Sequence, residues 1–294
     1  MSGKKRASPG ADVEKNPLSN VELNNEDAQK LQDIQKHIQR VELVIGELHS
    51  ARPESPEKAE PQINNFQERL AMEKLIPVYE KRRAVAKSIE KFWPVALMNN
   101  SMISFHAQHT IDQLALSYLE DLWIVRDPKE PRCYTIEFFF KPNPYFTDSV
   151  LKKEYKYISP PAASGDKPDA DGITDSMLDF SWARDVQPSA TPIHWKDPEN
   201  ALTKLHPRVA EVDGEDDDMP AEAGSFFNFF EIADDPFEIG AQIANEIFSE
   251  ATDYFMGNIA NDELDSEEED SEDDDDDAEE IDLEKPRAKK QKKE

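Results

Sequence analysis

"IEFFFKPNPYFTDSVLKKEYKY", residues 136–157, decides how this chain folds. It begins with a β-branched and aromatic run, breaks at Pro142 and Pro144, and resumes with a period of two. In the second run Leu151, Lys153, Tyr155 and Tyr157 face one way, and Lys152, Glu154 and Lys156 the other. Such alternation marks half-buried strands, because successive side chains leave a strand on opposite faces. "LWIVR" (122–126), "CYTIEFFFK" (133–141) and "LKKEYKYI" (151–158) are therefore read as three strands. Their short links, "DPKEPR" and "KPNPYFTD", favour an antiparallel meander. "TPIHW" (191–195), after a long Pro-, Gly-, Asp- and Ser-rich loop at 159–190, is read as the fourth strand.

Helical periodicity surrounds this sheet. "NNEDAQKLQDIQKHIQRVELVIGELHS" (24–50) opens with Asn24 or Asn25 as cap, and Glu26 and Asp27 suit the positive end of a helix dipole. Leu31, Ile34, Ile38, Val41, Ile45 and Leu48 follow in alternating steps of three and four. That is a heptad seam about three heptads long, which serves either self-association or packing on the chain's own core. "RPESPEKAEP" interrupts it with Pro53, Pro56 and Pro61. The pattern resumes over 64–93, where Leu75, Val78, Val85, Ile89 and Phe92 share a face and Arg82 fills a seam position. Pro77 lies inside that stretch and costs about 3 kcal/mol against Ala in a helix interior.

"HAQHTIDQLALSYLEDL" (106–122) is read as a further helix with Ile111, Leu114, Tyr118 and Leu122 along one side. "SFFNFFE" (225–231) follows Ser225 as a cap, and its Phe226, Phe227, Phe229 and Phe230 read as core. "FEIGAQIANEIFSEATDYF" is amphipathic through Ile239, Ile243, Ile247, Ala251, Tyr254 and Phe255. Helices, then strands, then helices indicate an α+β fold.

The composition narrows the chemistry. The 294 residues carry a net charge of −29. From Asp262 to Glu284 there are 17 acidic residues and no basic one, and a lysine-rich end follows. The rest of the chain is also net acidic, a field that repels nucleic acid and attracts polycations. Cys133 is the single cysteine, so no intrachain disulfide or cysteine cluster forms. No apolar run approaches the roughly 20 residues of a membrane helix, and the N-terminus lacks a signal-peptide core. His106 and His109 could share a helical face, but zinc usually takes four ligands and no second pair is evident. "DGEDDD" lacks the ligand alternation of a calcium loop. With nine glycines no phosphate-cradling loop is hidden, and no nucleophile–base arrangement is identifiable.

The stretch at 136–157 resembles the central signature of the nucleosome assembly protein (NAP)/SET family: an apolar strand, an Asn-Pro-Tyr-Phe turn and a "VLxKEY"-type strand, in that order. "PVYEKRRAVAKSIEKFW" resembles the second half of that family's long helix, "IHWKDPENALTK" the strand and turn after its variable loop, and "SFFNFFE" its late Phe-Phe segment. The similarity covers roughly 25–257 and is nearer the SET branch than the longer assembly proteins. Two features depart from it: "HSARPESPEKAEPQ" looks inserted into a helix that relatives keep largely unbroken, and the 159–190 loop is long.

The resemblance implies a long dimerisation helix, then an "earmuff" domain built on a four-stranded antiparallel sheet with flanking helices. It implies a disordered N-terminal arm at 1–23, a dimerisation region at 24–93 interrupted near 50–63, an earmuff domain at 94–257, an acidic disordered tail at 258–284 and a basic segment at 285–294. The interface would be Leu31, Ile34, Ile38, Val41, Ile45, Leu48, Leu75, Val78, Val85 and Ile89. The implied activity is histone chaperoning in nucleosome assembly and chromatin remodelling, without catalysis or cofactor. The alternative is a non-catalytic inhibitor or scaffold of a phosphatase or histone acetyltransferase. Implied partners are core histones (the tetramer-forming or dimer-forming pair), a second copy, a nuclear import receptor and chromatin-modifying enzymes; membranes and specific nucleic-acid sequences are not among them.

Candidate histone contacts in the tail are Asp262, Glu263, Asp265, Glu267, Glu268, Glu269, Asp270, Glu272, Asp273, Asp274, Asp275, Asp276, Asp277, Glu279 and Glu280. Asp213, Glu215, Asp216, Asp217 and Asp218 are weaker ones. A solvated segment that keeps the chain soluble has the same composition. Lys285, Arg287, Lys289, Lys290, Lys292 and Lys293 have the density of a nuclear import signal, and a basic end that folds back on the acidic run is the other reading of them; the expected location is the nucleus, with shuttling to the cytoplasm. Ser266 and Ser271 precede acids in the way an acid-directed kinase requires.

Overall fold

A computed structural model describes residues 18, 23–50, 60–127, 133–158, 167, 182–209 and 224–259. Two long helices come first, α1 (Asn25–Ser50) and α2 (Glu60–Ala86). The Asn24 side chain caps α1 by accepting from the Asp27 backbone N–H at 2.8 Å. Pro77 does not end α2, which runs through it as one helix. α1 and α2 pack on each other as two arms of a hairpin, and α1 also touches the helical end of the chain. Three short helices follow: α3 (Phe92–Met98), α4 (Ser101–His106) and α5 (Thr110–Leu116).

The sheet is four-stranded and antiparallel, in the order β1 (Leu119–Arg126), β2 (Tyr134–Phe140), β3 (Val150–Tyr157), β4 (Val186–Pro188). Alternation sets the register. Tyr134, Ile136, Phe138 and Phe140 point inward from β2, and Leu151, Lys153 and Tyr155 from β3. On the other face, Glu137 opposes Lys152 and the two form an ion pair at 2.6 Å. The turn between β2 and β3 is built by Asn143, whose side-chain oxygen accepts the backbone N–H groups of Tyr145 and Phe146 at 2.9 and 3.0 Å.

The inner face of the sheet is covered by the Phe segment. Phe226, Phe227, Phe229 and Phe230 are all buried, with Phe138 edge-on to Phe230 at 5.0 Å. Each fully buried Phe stabilises the fold by roughly 1.5–3 kcal/mol. Asp112 of α5 anchors the segment, accepting from Ser225 Oγ at 2.7 Å and the Phe226 N–H at 2.9 Å. Lys153 lies among these apolar groups because its ammonium donates to the Ile232 and Ala233 carbonyls at 2.6 and 2.8 Å, and burial lowers its pKa to about 8. The described residues then end with a short turn (Ile239–Ala241), a π-helical segment (Gln242–Ile247) and a helix (Ala251–Met256). Ile239, Ile243, Ile247, Ala251, Tyr254 and Phe255 are all buried, as their spacing requires.

Several sequence expectations are corrected. The fourth strand is Val186–Pro188, not 191–195. Residues 191–195 instead serve the Asn143 turn, where Phe146 bridges Trp195 and the Thr147 N–H bonds the His194 carbonyl. A helical turn, Trp182–Asp185, and β4 occupy the end of the expected 159–190 loop. The helix expected over 106–122 is shorter: β1 begins at Leu119, so Leu122 is a strand residue, and α5 buries Asp112, Ala115 and Leu116. His106 lies in α4 and His109 caps α5, so they share no helix.

Gly240 marks the tightest approach in the core. A Cβ there would meet the Tyr155 hydroxyl at 1.8 Å, and that hydroxyl is held by Asp235 Oδ2 at 2.5 Å. Gly240→Ala is expected to lower the unfolding free energy by about 2–3 kcal/mol, with no recovery when Tyr155→Phe is added, because the ring carbons Cζ and Cε2 would still stand 2.2 and 2.5 Å from the new Cβ. Urea denaturation of the single and double variants checks this.

Candidate functional site

A buried cation helps to fix the hairpin to the rest of the chain. Arg82 is 1% exposed. Its guanidinium carbon lies 4.9 Å from the Tyr79 ring centroid, 5.6 Å from Trp93 and 4.7 Å from Phe248. Nη1 donates to the Ser249 carbonyl at 3.0 Å, an oxygen that the buried Gln35 of α1 also reaches, at 3.5 Å. Three aromatic faces give a desolvated cation a favourable field. Burial still lowers the Arg82 pKa to about 10.

Beside this anchor α2, β1 and the π-helical segment leave an open cleft of about 360 Å³. Met72, Leu75, Ile76, Trp123 and Phe248 form its apolar lining, and Glu42 of α1 stands at its edge. On the β1 side the cations are engaged. Arg83 pairs with the buried Asp121 at 2.5 Å, and Lys87 approaches the same carboxylate at 3.4 Å. Arg126, which also lines the cleft, donates to the Ala244 carbonyl and to Asn245 Oδ1, neutral acceptors that leave its positive charge in place. On the C-terminal side the charges are negative. Burial pushes the Glu250 pKa up, and Glu246, Asp253 and Glu42 push it further, which places these carboxylates in one field. Glu42 is raised by burial of its surroundings against the pull of Arg82. Neither Glu42 nor Glu250 has a cation at ion-pair distance among the described residues.

The expected interface residues are divided by the structure. Leu31, Ile38, Val78 and Ile89 are buried within the single chain. Ile34, Val41, Ile45, Leu75 and Val85 are half-buried, and the Leu48 side chain lies outside what is described. The buried stripe of α1 is Leu31, Gln35 and Ile38, slightly rotated from the heptad seam. The rotation was hidden because Gln35 is polar, and its burial depends on the distant Ser249 carbonyl. Glu42, one turn beyond Ile38, was missed for the same reason. The acidic candidates at 213–218 and 262–280, the import cluster at 285–293 and both serines lie outside the described residues. Among the described residues no group of three or more His, Cys, Asp or Glu is placed to hold a metal, and no helix is long and apolar enough to cross a membrane.

The model of the family described as nucleosome assembly protein (NAP) matches residues 18–258. The chain belongs to this family. It is 30% identical over 256 residues to human nucleosome assembly protein 1-like 4, covering 76% of this chain and 64% of that protein. It is 29% identical over 206 residues to nucleosome assembly protein 1;1 of Nicotiana tabacum, covering 61% and 49%. The chain thus spans about half to 64% of the length of these curated relatives. Among solved structures, Ccp1 overlaps 68% of this chain and 90% of its own, with a TM-score of 0.48 and 24% identity. A nucleosome assembly protein from Plasmodium falciparum overlaps 78% and 99%, with a TM-score of 0.44 and 22% identity. For this NAP-family chain, the hairpin and sheet thus lie within the matched span, and the acidic run at 262–284 lies beyond it.

Truncation of Arg82 tests the anchor. Arg82→Ala is expected to lower the unfolding free energy by about 3 kcal/mol, and Arg82→Met, which refills the space between the rings, by clearly less. Equal losses in denaturant titrations would contradict the packing role assigned to the guanidinium.

Proposed function

We propose that this chain is a non-catalytic histone chaperone of the SET type that binds core histones through acidic surfaces in nucleosome assembly and chromatin remodelling. The observation that carries the reading is the family match over 18–258 in a chain of net charge −29. Histones are basic and bind DNA by neutralising its phosphates. An acidic surface competes for the same lysines and arginines, and many exposed, exchangeable contacts suit a carrier that must release its load. Such contacts are screened over about 8 Å at physiological ionic strength.

In this reading 1–23 is an arm, 24–93 the dimerisation region, 94–257 the histone-binding domain and 258–284 an acidic arm followed by the import segment at 285–294. Phosphate on Ser266 and Ser271 would add charge to that arm. The protein works in the nucleus and shuttles to the cytoplasm through an import receptor. Self-association uses the flank of α1 next to its buried stripe, with Ile34, Val41 and Ile45 continued by Val44, which is 45% exposed. Leu31, Ile38, Val78 and Ile89 then support the interface from within each chain.

Two measurements test the proposal. The tetramer-forming and dimer-forming histone pairs are titrated with the intact chain and with a form ending at Asn261. Truncation is expected to reduce affinity without abolishing it, because the remaining body is still acidic. If neither form binds histones more tightly than a scrambled polyacidic peptide, the chaperone reading is wrong. Light scattering at micromolar concentration should give twice the chain mass, and Val41→Asp combined with Val44→Asp should halve it.

A further inference from the structure

Three of the chain's six histidines meet at one junction, between the turn that joins α4 to α5 and the stretch that follows a helical turn at Leu202–Leu205. His109 and His206 stack face to face, with ring centroids 3.7 Å apart and planes within 13° of each other. His106 is only 3% exposed. Its ring lies 4.6 Å from that of Phe237 and 5.4 Å from that of Phe105. Its Nδ1 is buried and has no hydrogen-bond partner among the described residues. The Arg208 guanidinium lies over the same Phe237 ring, 5.2 Å from its centroid.

The backbone that carries the stacked rings also fixes the start of the Phe segment. The His206 carbonyl accepts the Ser225 N–H at 2.8 Å and Asn228 Nδ2 at 3.0 Å. The His109 carbonyl accepts the Asp112 N–H at 2.9 Å, and the Asp112 side chain holds Ser225 Oγ and the Phe226 N–H. Gly224, at φ +70°, brings the chain so close to the 207–208 stretch that a Cβ there would meet the Arg208 nitrogen at 2.7 Å. Phe237, after the segment, packs on His106. The layer from 224 to 237 is thus held at both ends by groups next to an imidazole.

We propose that these three imidazoles form a proton-operated latch: neutral, they let the 224–237 layer close on α4 and α5, and protonated in mild acid they release it before the sheet unfolds. Histidine is the side chain suited to such a role near neutral pH. Two stacked rings cannot both carry a charge without repulsion, and His106 would carry its charge away from water and close to Arg208. The carboxylates at hand are too few to offset this. Asp112 faces the stacked pair and can favour one charge on it, while its oxygens stay committed to the Phe segment. Asp235 faces His106, but it holds the Tyr155 hydroxyl and the Ile239 and Gly240 N–H groups and already shares its field with Lys153 and Arg208. Asp234 and Glu238 on the same loop are exposed to solvent. Burial first, and Arg208 second, lower the His106 pKa from 6.5 to about 4 against the pull of Asp235. A pKa lowered by folding means that stability is complete above the ordinary value and is lost as pH falls toward the folded one. The latch lies wholly within this chain and does not rest on the histone reading.

The test is hydrogen–deuterium exchange at pH 7 and pH 5, expressed as protection relative to the intrinsic exchange rate at each pH. It compares the intact chain with His106→Gln, His206→Gln, the double variant and His194→Gln. The glutamines keep every backbone carbonyl, and circular dichroism at pH 7 verifies folding. His194 is 72% exposed and pairs with Asp148 away from the junction, so its variant is the control. In the intact chain and the control, protection at 225–232 should fall about tenfold on going to pH 5, while β2 and β3 change by less than about threefold. In the double variant the fall at 225–232 should shrink to less than about threefold. Unchanged protection in the intact chain would overturn the proposal. So would an equal fall in the double variant, which would assign the effect to carboxylates, or an equal fall across the sheet, which would make it global unfolding. Should substitution of the buried His106 prevent folding, the half-buried His206 decides alone. His206→Gln must then lessen the fall at 225–232, and a fall as large as that of the intact chain refutes the latch.

Discussion

A buried guanidinium helps to join the helical hairpin to the rest of this molecule. Taking Arg82 out of water is costly, and here the cost is offset by three aromatic rings and the Ser249 carbonyl. Those partners come from α2 itself, α3 and the C-terminal helical layer, so the guanidinium gains them only when the three meet, and Nε and Nη2 rest on the aromatic faces without a hydrogen-bond partner in the protein. Gln35 brings α1 to the same carbonyl. The apolar residues of the hairpin drive its collapse, but they are permissive about angle. The polar contacts on Ser249 select one arrangement, and that arrangement leaves the cleft between α2 and β1.

The strands were legible where both faces had a consistent preference. β2 and β3 alternate cleanly, and even Lys153 appears on the inward face of the pattern, although its reason for being there, the carbonyls of Ile232 and Ala233, is remote in sequence. The fourth strand was misplaced because 191–195 looks like a strand by composition, while its backbone groups are taken by the turn at 143–147. Val186–Pro188 is too short to show a period. At 106–122 the apolar spacing suited a helix, but the residues from Leu119 onward gain more by pairing with β2.

The cleft was the least legible part. Its residues come from α1, α2, β1 and the π-helical segment, and no local pattern links them. Glu42 reads as an ordinary surface acid, and Glu246 and Glu250 as the polar face of an amphipathic helix. Their common field arises only when the hairpin folds down. Arg82 alone gave a signal, as a charge standing where the seam called for an apolar residue.

The acidic character of this NAP-family chain therefore has two forms. Beyond the family match the charge is a dense run in the sequence, suited to long-range attraction that salt weakens. On the folded body a few carboxylates border an apolar groove, where water is partly excluded and shape also counts. Hydrogen–deuterium exchange of the intact chain and of its Arg82→Ala variant tests the anchoring role most directly. Faster exchange of the backbone amides at 244–249 is expected in the variant. Unchanged exchange there, with the variant demonstrably folded, would contradict that role.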